Sequence, residues 1–305
     1  MSKKVLVTGA FGFVGRNVAR HFASLGWSVI GIGHGNWSEM EFQEWGLLNW
    51  KSAEITIETL KSFANFPEVI IHCAGSGSVG YSIIHPFQDF QRNVNSTIEL
   101  LEFVRKYSPQ SHVVFPSSAG VYGVAEKFPI SESAKLLPVS AYGTHKKIAE
   151  ELCQSYAKNY GIATSIVRLF SVYGNGLQKQ LLWDACKKIS QGETEFFGTG
   201  KETRDWLHIS DAVTLLFAAS ENASSICPIV NGGAGEEVMV EEVLSELFTL
   251  FKRKEPPIFS GIVRKGDPTN YQADISLALK WDWKPRRTWR KGVSEYALWF
   301  MSNTL

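Results

Sequence analysis

The run Gly9-Ala10-Phe11-Gly12-Phe13-Val14-Gly15 follows directly on the apolar stretch Val5-Leu6-Val7, and this junction constrains the fold more than any other part of the chain. Glycines at that spacing permit a tight strand-to-helix turn, let backbone N–H groups approach a pyrophosphate, and open a helix whose N-terminus attracts anions. The turn predicts a dinucleotide site held by Gly9, Phe11, Gly12, Phe13, Val14 and Gly15. Further strand-like runs, Ser28 to Gly33, Val69 to Cys73, Val113 to Phe115 and Thr164 to Phe170, alternate with helical segments at Val14 to Leu25, Phe87 to Lys106 and Tyr142 to Asn159. That alternation predicts an α/β fold, a doubly wound parallel sheet covered by helices. After Phe170 glycines punctuate shorter elements. A dinucleotide-binding domain over 1–170 and a smaller C-terminal α/β substrate-binding lobe over 171–305 are expected, with some segments returning to the first domain.

Composition narrows the function. The 31 basic and 30 acidic residues nearly cancel and form no block of like charge, so neither nucleic-acid nor membrane-surface binding is expected. An anionic ligand must then be met by a few placed residues. Cys73, Cys153, Cys186 and Cys227 have no metal-ligand spacing and suit reduced thiols, and the seven histidines give no metal site. The first strand starts almost at Met1, and no apolar run reaches membrane-spanning length, so a cytoplasmic protein is expected.

The second strand ends Gly31-Ile32-Gly33-His34-Gly35-Asn36, without the acid that takes adenosine ribose hydroxyls in the usual scheme. Lacking that charge, the site favours NADP, with His34 or Arg16 beside the 2′-phosphate, and NAD is the alternative. Tyr142 and Lys146 stand four apart and share a helix face. The spacing places an ammonium near a phenol and is expected to favour the tyrosinate. With Ser118 upstream, the three residues can move a proton beside a nicotinamide.

The glycine turn, Ser118, Tyr142 and Lys146 in this order resemble the extended short-chain dehydrogenase/reductase family, which includes nucleotide-sugar epimerases, dehydratases and ketoreductases. The likeness extends over His72-Cys73-Ala74-Gly75, Asn93-Val94 with Thr97, Ser117 to Gly123, Phe170 to Gly174, Gly198-Thr199-Gly200 with Arg204-Asp205, and Arg264 to Asp267. It implies a Rossmann fold with Ser118, Tyr142 and Lys146 catalytic. By the same resemblance Ala74 and Gly75 pass the cofactor backbone, Asn93 orders the base of the site, and Glu54-Ile55 takes the adenine. Lys146 also binds the nicotinamide ribose. Arg204 and Arg264 hold the diphosphate of a nucleotide sugar, with Ser171 beside it and Asp267 on the nucleoside. The helices over 87–106 and 142–159 correspond to those that form a four-helix dimer interface in relatives, so a homodimer is implied.

The chain departs from family patterns at informative places. Ser118-Ala119-Gly120 stands where 4,6-dehydratases carry Thr-Asp-Glu, which argues against dehydration. The segment from His72 through Gly80, Ser82, Pro86 and Asn93 matches UDP-galactose 4-epimerases, yet their lysine is replaced at Gly77, their asparagine at Ser171 and their ribose acid at Gly33. The expected activity is hydride transfer at C4 of a nucleotide-linked hexose, first as an NADP-linked 4-ketoreductase of an NDP-4-keto-6-deoxyhexose. The alternative is an NAD-dependent NDP-sugar 4-epimerase of the UDP-glucose or UDP-GlcNAc type. A binding protein without chemistry is the third reading, disfavoured by the intact trio.

Overall fold

The computed structural model describes residues 2–262 and 270–304. The apolar runs become β1 (Lys4–Thr8), β2 (Ser28–Gly33), β3 (Leu47–Ser52), β4 (Val69–His72), β5 (His112–Ser118) and β6 (Thr164–Leu169), all parallel. Between them lie α1 (Phe13–Ser24), α2 (Glu39–Glu44), α3 (Ile57–Phe63), α4 (Val79–Ile84), α5 (Pro86–Phe90), α6 (Ser96–Tyr107) and α7 (Ala141–Tyr160). Short strands follow, β7 (Ser171–Tyr173), β8 (Glu195–Phe196), β9 (Thr203–Arg204) and β10 (Trp206–His208), with α8 (Gln180–Ser190) after β7. Then come α9 (Ile209–Glu221), β11 (Ile229–Gly232), β12 (Val238–Met239), α10 (Val240–Leu250), β13 (Ile258–Phe259), α11 (Ser276–Leu279) and α12 (Trp289–Thr304).

From the second half of the chain, β11 pairs with β6 and completes a seven-stranded sheet of order β11-β6-β5-β4-β1-β2-β3. The chain moves outward from β1 in one direction and from β4 in the other. That reversal opens a crevice over the carboxyl ends of these two strands, where ligands of such sheets bind. Because strand side chains alternate, Val5 and Val7 pack with Phe22, Val167 and Leu215 on one face, while Leu6 packs with Ile70, Leu100 and Val104 on the other. A separate cluster around Tyr173, Leu182, Trp206, Leu244, Tyr296 and Phe300 holds the paired short strands with α8, α10 and α12. Between β2 and β3 the register slips once, at Val29/Ile30. No helix among the described residues is long and apolar enough to cross a membrane.

The helix expected over 87–106 differs from expectation. It runs as α5, a π turn at Gln91–Asn95, and α6. The cause is local competition for carbonyls: the Asn93 side-chain amide donates to the Asp89 carbonyl at 3.1 Å, Ser96 Oγ to that of Arg92 at 2.6 Å, and Thr97 Oγ1 to that of Asn93 at 2.6 Å. Side chains thus occupy the acceptors that a regular i to i−4 ladder needs.

Candidate active site

The glycine turn closes on the loop after β4. Gly9 has φ 65°, and a Cβ there would lie 2.6 Å from the Ala74 nitrogen, so no side chain fits. A Cβ on Gly15 would come within 2.3 Å of the Gly9 carbonyl oxygen. The helix α1 begins without a side-chain cap, and Gly12, Phe13, Val14 and Gly15 line the cleft. Beneath the turn, Thr8 Oγ1 meets His72 Nδ1 at 2.8 Å and accepts the Ala74 N–H at 3.1 Å. His72 Nε2 reaches Thr97 Oγ1 at 3.2 Å, and burial, helped by the Lys146 charge, drives the imidazole pKa down to about 3. The ring is therefore a neutral strut joining β1, β4 and α6. The buried Asn93 Oδ1 has no partner and lies 2.7 Å from the Cβ position of Gly75, so it faces the loop that the resemblance gives to the cofactor.

Ser118 ends β5, and Tyr142 and Lys146 lie on the first turns of α7. A Cβ on Gly120 would stand 3.4 Å from Ser118 Oγ and 3.6 Å from Tyr142 Cε1, so both side chains face one small space. The helix start is fixed twice: Ser140 Oγ accepts the Gly143 N–H at 3.1 Å, and Ser82 Oγ accepts the Tyr142 N–H at 3.1 Å. The buried Lys146 ammonium donates to the Pro116 carbonyl at 3.0 Å and sits 4.7 Å from the Phe115 ring centre. Burial lowers its pKa to about 8, against the opposing pull of Cys73, Asp89 and Glu150.

These contacts correct one expectation. Lys146 does not draw the tyrosine toward its ionised form: burial raises the Tyr142 pKa, Asp89 raises it further, and only the Ser118 hydroxyl pulls it down. The ammonium spends one N–H on Pro116, while the phenol, though it lines the cleft, is largely desolvated by the surrounding protein. In the protein alone Tyr142 is a neutral phenol, able to donate a proton.

A buried network behind the trio escaped sequence reasoning. Arg168 on β6 grips Glu150 on α7, with Nη2 to Oε2 at 2.8 Å and Nε to Oε1 at 3.1 Å, and Ser117 Oγ donates to the same carboxylate. Arg168 Nη1 also donates to the Glu132 carbonyl at 2.9 Å and to the Tyr122 hydroxyl at 3.1 Å. The network ties the strand carrying Ser118 to the helix carrying Lys146. Its only local signals were Ser117 beside Ser118 and Glu150 one turn beyond Lys146. A second buried pair, His145 Nδ1 to Asp89 Oδ2 at 2.6 Å, clamps α7 to α5.

Where the resemblance puts the adenosine, the polar groups are already engaged. His34 Nε2 lies 3.3 Å from Glu54 Oε2, both exposed, so a carboxylate from beyond β3 stands where the end of β2 has none. Arg16 donates through Nη2 to the Phe11 carbonyl at 2.8 Å and lies over the Phe11 and Trp45 rings. The Phe11 ring packs on Trp37, centres 4.9 Å apart, leaving its backbone to a ligand. The Ile55 side chain is core, packed with Leu60 and Ile70.

A cleft of about 780 Å³ runs from Gly9, Gly12 and Gly75 past Tyr142 and Lys146 to Ser171 and Arg204. A side recess of about 140 Å³ is bounded by Ser118, Gly120, Tyr142, Ser171, Arg204 and Tyr271. Arg204 Nη1 donates to the Thr203 carbonyl at 2.8 Å, and the guanidinium lies 5.9 Å from the Tyr271 ring centre. Arg264 and Asp267 lie outside the described residues.

A model of the NAD dependent epimerase/dehydratase family matches residues 5–232. A curated putative UDP-glucose 4-epimerase of Methanocaldococcus jannaschii is 30% identical over 313 residues, spanning 98% of this chain and 99% of that protein. The crystal structure of UDP-glucose 4-epimerase with UDP-glucose from Thermotoga maritima superposes with a TM-score of 0.90 at 24% identity, covering 99% of this chain and 100% of the other. That of UDP-glucuronic acid 4-epimerase from Bacillus cereus, in complex with UDP-glucuronic acid and NAD, has a TM-score of 0.87 at 26% identity, covering 98% and 99%.

Proposed function

The chain belongs to the NAD dependent epimerase/dehydratase family, and from that premise we propose that it is an NAD-dependent 4-epimerase of a UDP-linked sugar. The observation that carries the reading is the single cleft joining the glycine turn to Ser118, Tyr142, Lys146 and Arg204. In this reading residues 1–170, with the returning strand β11, carry the dinucleotide, and the rest of 171–305 carries the sugar nucleotide.

The residues fit NAD. Gly9 and Gly15 let the turn close on Ala74 and on itself where no Cβ fits, which keeps its backbone tight at the cleft; the α1 N-terminus has no side-chain cap, and Asn93 Oδ1 is an acceptor without a partner among the described residues, beside Gly75. Bound NAD would supply a reversible hydride acceptor for the sugar carbon and a positive ring charge that favours the tyrosinate. Tyr142 Oη takes the proton of the C4 hydroxyl during oxidation and gives one back during reduction. Ser118 Oγ holds the reacting oxygen against Tyr142. Lys146, still cationic at neutral pH, offers the nicotinamide ribose the N–H donors that Pro116 does not use. Arg204, joined by Arg264 as the resemblance implies, would hold the diphosphate while the sugar turns and presents its other face for reduction.

Substrate and product differ only in configuration, so no external reductant is consumed. This sets the reading apart from the NADP-linked 4-ketoreductase expected first. Two observations favour the epimerase. The Glu54 carboxylate beside His34 disfavours a 2′-phosphate, and Arg16 is tied to Phe11. The three similar proteins described above carry 4-epimerase names, and the Bacillus cereus one is in complex with NAD. A homodimer built on α6 and α7 is proposed with it, tested by solution mass.

Denaturing the purified protein should release stoichiometric NAD. The undenatured protein should interconvert UDP-glucose and UDP-galactose, or the corresponding uronates, without added nucleotide. An empty site that takes up NADPH, with oxidation of NADPH matching consumption of a 4-keto sugar nucleotide, would return the reading to the reductase.

A further inference from the structure

We propose that the Lys179 ammonium, reaching across the cleft from the start of α8, holds the pyrophosphate of the bound dinucleotide; the proposal rests on reading the cleft as an NAD site. The loop from Cys73 to Gly80 contains no charged residue, and neither does the turn from Gly9 to Gly15. The next cation along, Arg16, is bound to the Phe11 carbonyl and lies over aromatic rings. A pyrophosphate brings two negative charges, and backbone N–H groups alone leave it without a full countercharge.

Lys179 supplies one. Its Nζ lies 3.7 Å from the position a Cβ on Gly77 would take, and beyond residues 76–78 no other atom of the described residues comes within 4 Å of that point. The ammonium of a distant element thus occupies the space a side chain at residue 77 would enter. Lys179 lines the same cleft as Gly9, Gly12 and Gly75. Other lysines of that wall are engaged: Lys146 donates to Pro116, and Lys188 to the Glu195 carbonyl with Glu193 beside it. Lys179 has no hydrogen bond or ion pair among the described residues. The residue is exposed to solvent in the cleft, and partial desolvation by the surrounding walls lowers its pKa. It also stands at the positive pole of α8, where a cation is disfavoured. An ammonium that gains nothing from its own protein, in a cleft open to an anion, is placed for a ligand.

The test titrates NAD and, separately, UDP into nucleotide-stripped protein by calorimetry. Wild type, Lys179→Met and the double variant Gly77→Lys/Lys179→Met are compared. A Cβ at residue 77 meets only the Lys179 ammonium, at ordinary contact distance, and the residue has no positive φ, so the loop accepts a side chain there once Lys179 is shortened, and the new ammonium can reach the same wall of the cleft. Lys179→Met should weaken NAD about tenfold or more and leave UDP within about twofold, and the double variant should recover most of the loss. Lost UDP affinity with unchanged NAD affinity would overturn the assignment in favour of the sugar nucleotide's diphosphate. Equal NAD affinity in all three proteins would overturn it outright, as would a double variant no better than the single one. If wild type takes up no NAD, the reading of the cleft falls and takes the proposal with it.

Discussion

The seven-stranded sheet and the lobe over its carboxyl edge position their polar side chains by different means. On the sheet side Ser118, Tyr142 and Lys146 hang on buried frames: Thr8, His72 and Thr97 under the glycine turn, Ser82 under the first turn of α7, and Glu150 with Arg168 behind the trio. In the lobe the strands are two or three residues long and hydrophobic packing holds them, while Lys179 meets the cleft with no partner among the described residues. The proposed chemistry, which tolerates little misplacement, sits on buried hydrogen-bonded frames, and charge placed to meet a ligand's phosphates sits on long side chains.

Four substitutions can break or sharpen that contrast. The largest effect is expected for Tyr142→Phe, which should lower turnover by roughly 10²–10⁴-fold while NAD and UDP affinities stay within about twofold. Full activity in that variant would remove Tyr142 from the chemistry. Next, Arg168→Met leaves the Glu150 carboxylate buried and uncompensated, at a cost of about 3–5 kcal/mol in urea unfolding. A loss under about 1 kcal/mol would mean the frame behind the trio is dispensable.

The third is a pH effect. Folded Lys146 releases its proton near pH 8, whereas the unfolded chain keeps it to the ordinary value of 10.5. Between those values the unfolded state binds more protons, so stability rises with pH. Wild type should therefore gain on Lys146→Met by on the order of 2 kcal/mol from pH 8 upward, read as unfolding midpoints across that range. A gap that stays constant with pH would show the ammonium is not desolvated. The smallest effect falls in the lobe: Arg204→Met should weaken UDP about tenfold, leave NAD unchanged and barely alter stability. A large loss of stability there would erase the contrast between the two regions.

What could be read from sequence follows the same division. Contacts set by neighbours along the chain were legible: the glycine turn, the Tyr142 and Lys146 helix face, and the central strands, buried on both sides. The edge strand β3 went unread because its outward side chains interrupt the apolar run, and β11 because four residues give no pattern. The helix expected over 87–106 hid its π turn in three side chains that take backbone carbonyls. Charges missing from a local motif came from far along the chain. Gly33 lacks the ribose acid, and Glu54 stands beside His34 instead. Gly77 lacks a lysine, and Lys179 fills its space. Neither pairing leaves a trace in spacing, since only the fold brings those positions together.

The register slip between β2 and β3 also bears on how copies of the protein behave when crowded. An open strand edge is a template on which another chain can add, and β3 is such an edge. The irregularity at Val29/Ile30 and the charge of Lys51 make that edge a poor match for a second flat strand. The polar and charged side chains that hid β3 from the sequence pattern, Lys51 among them, thus act together with the slip against edge-to-edge aggregation.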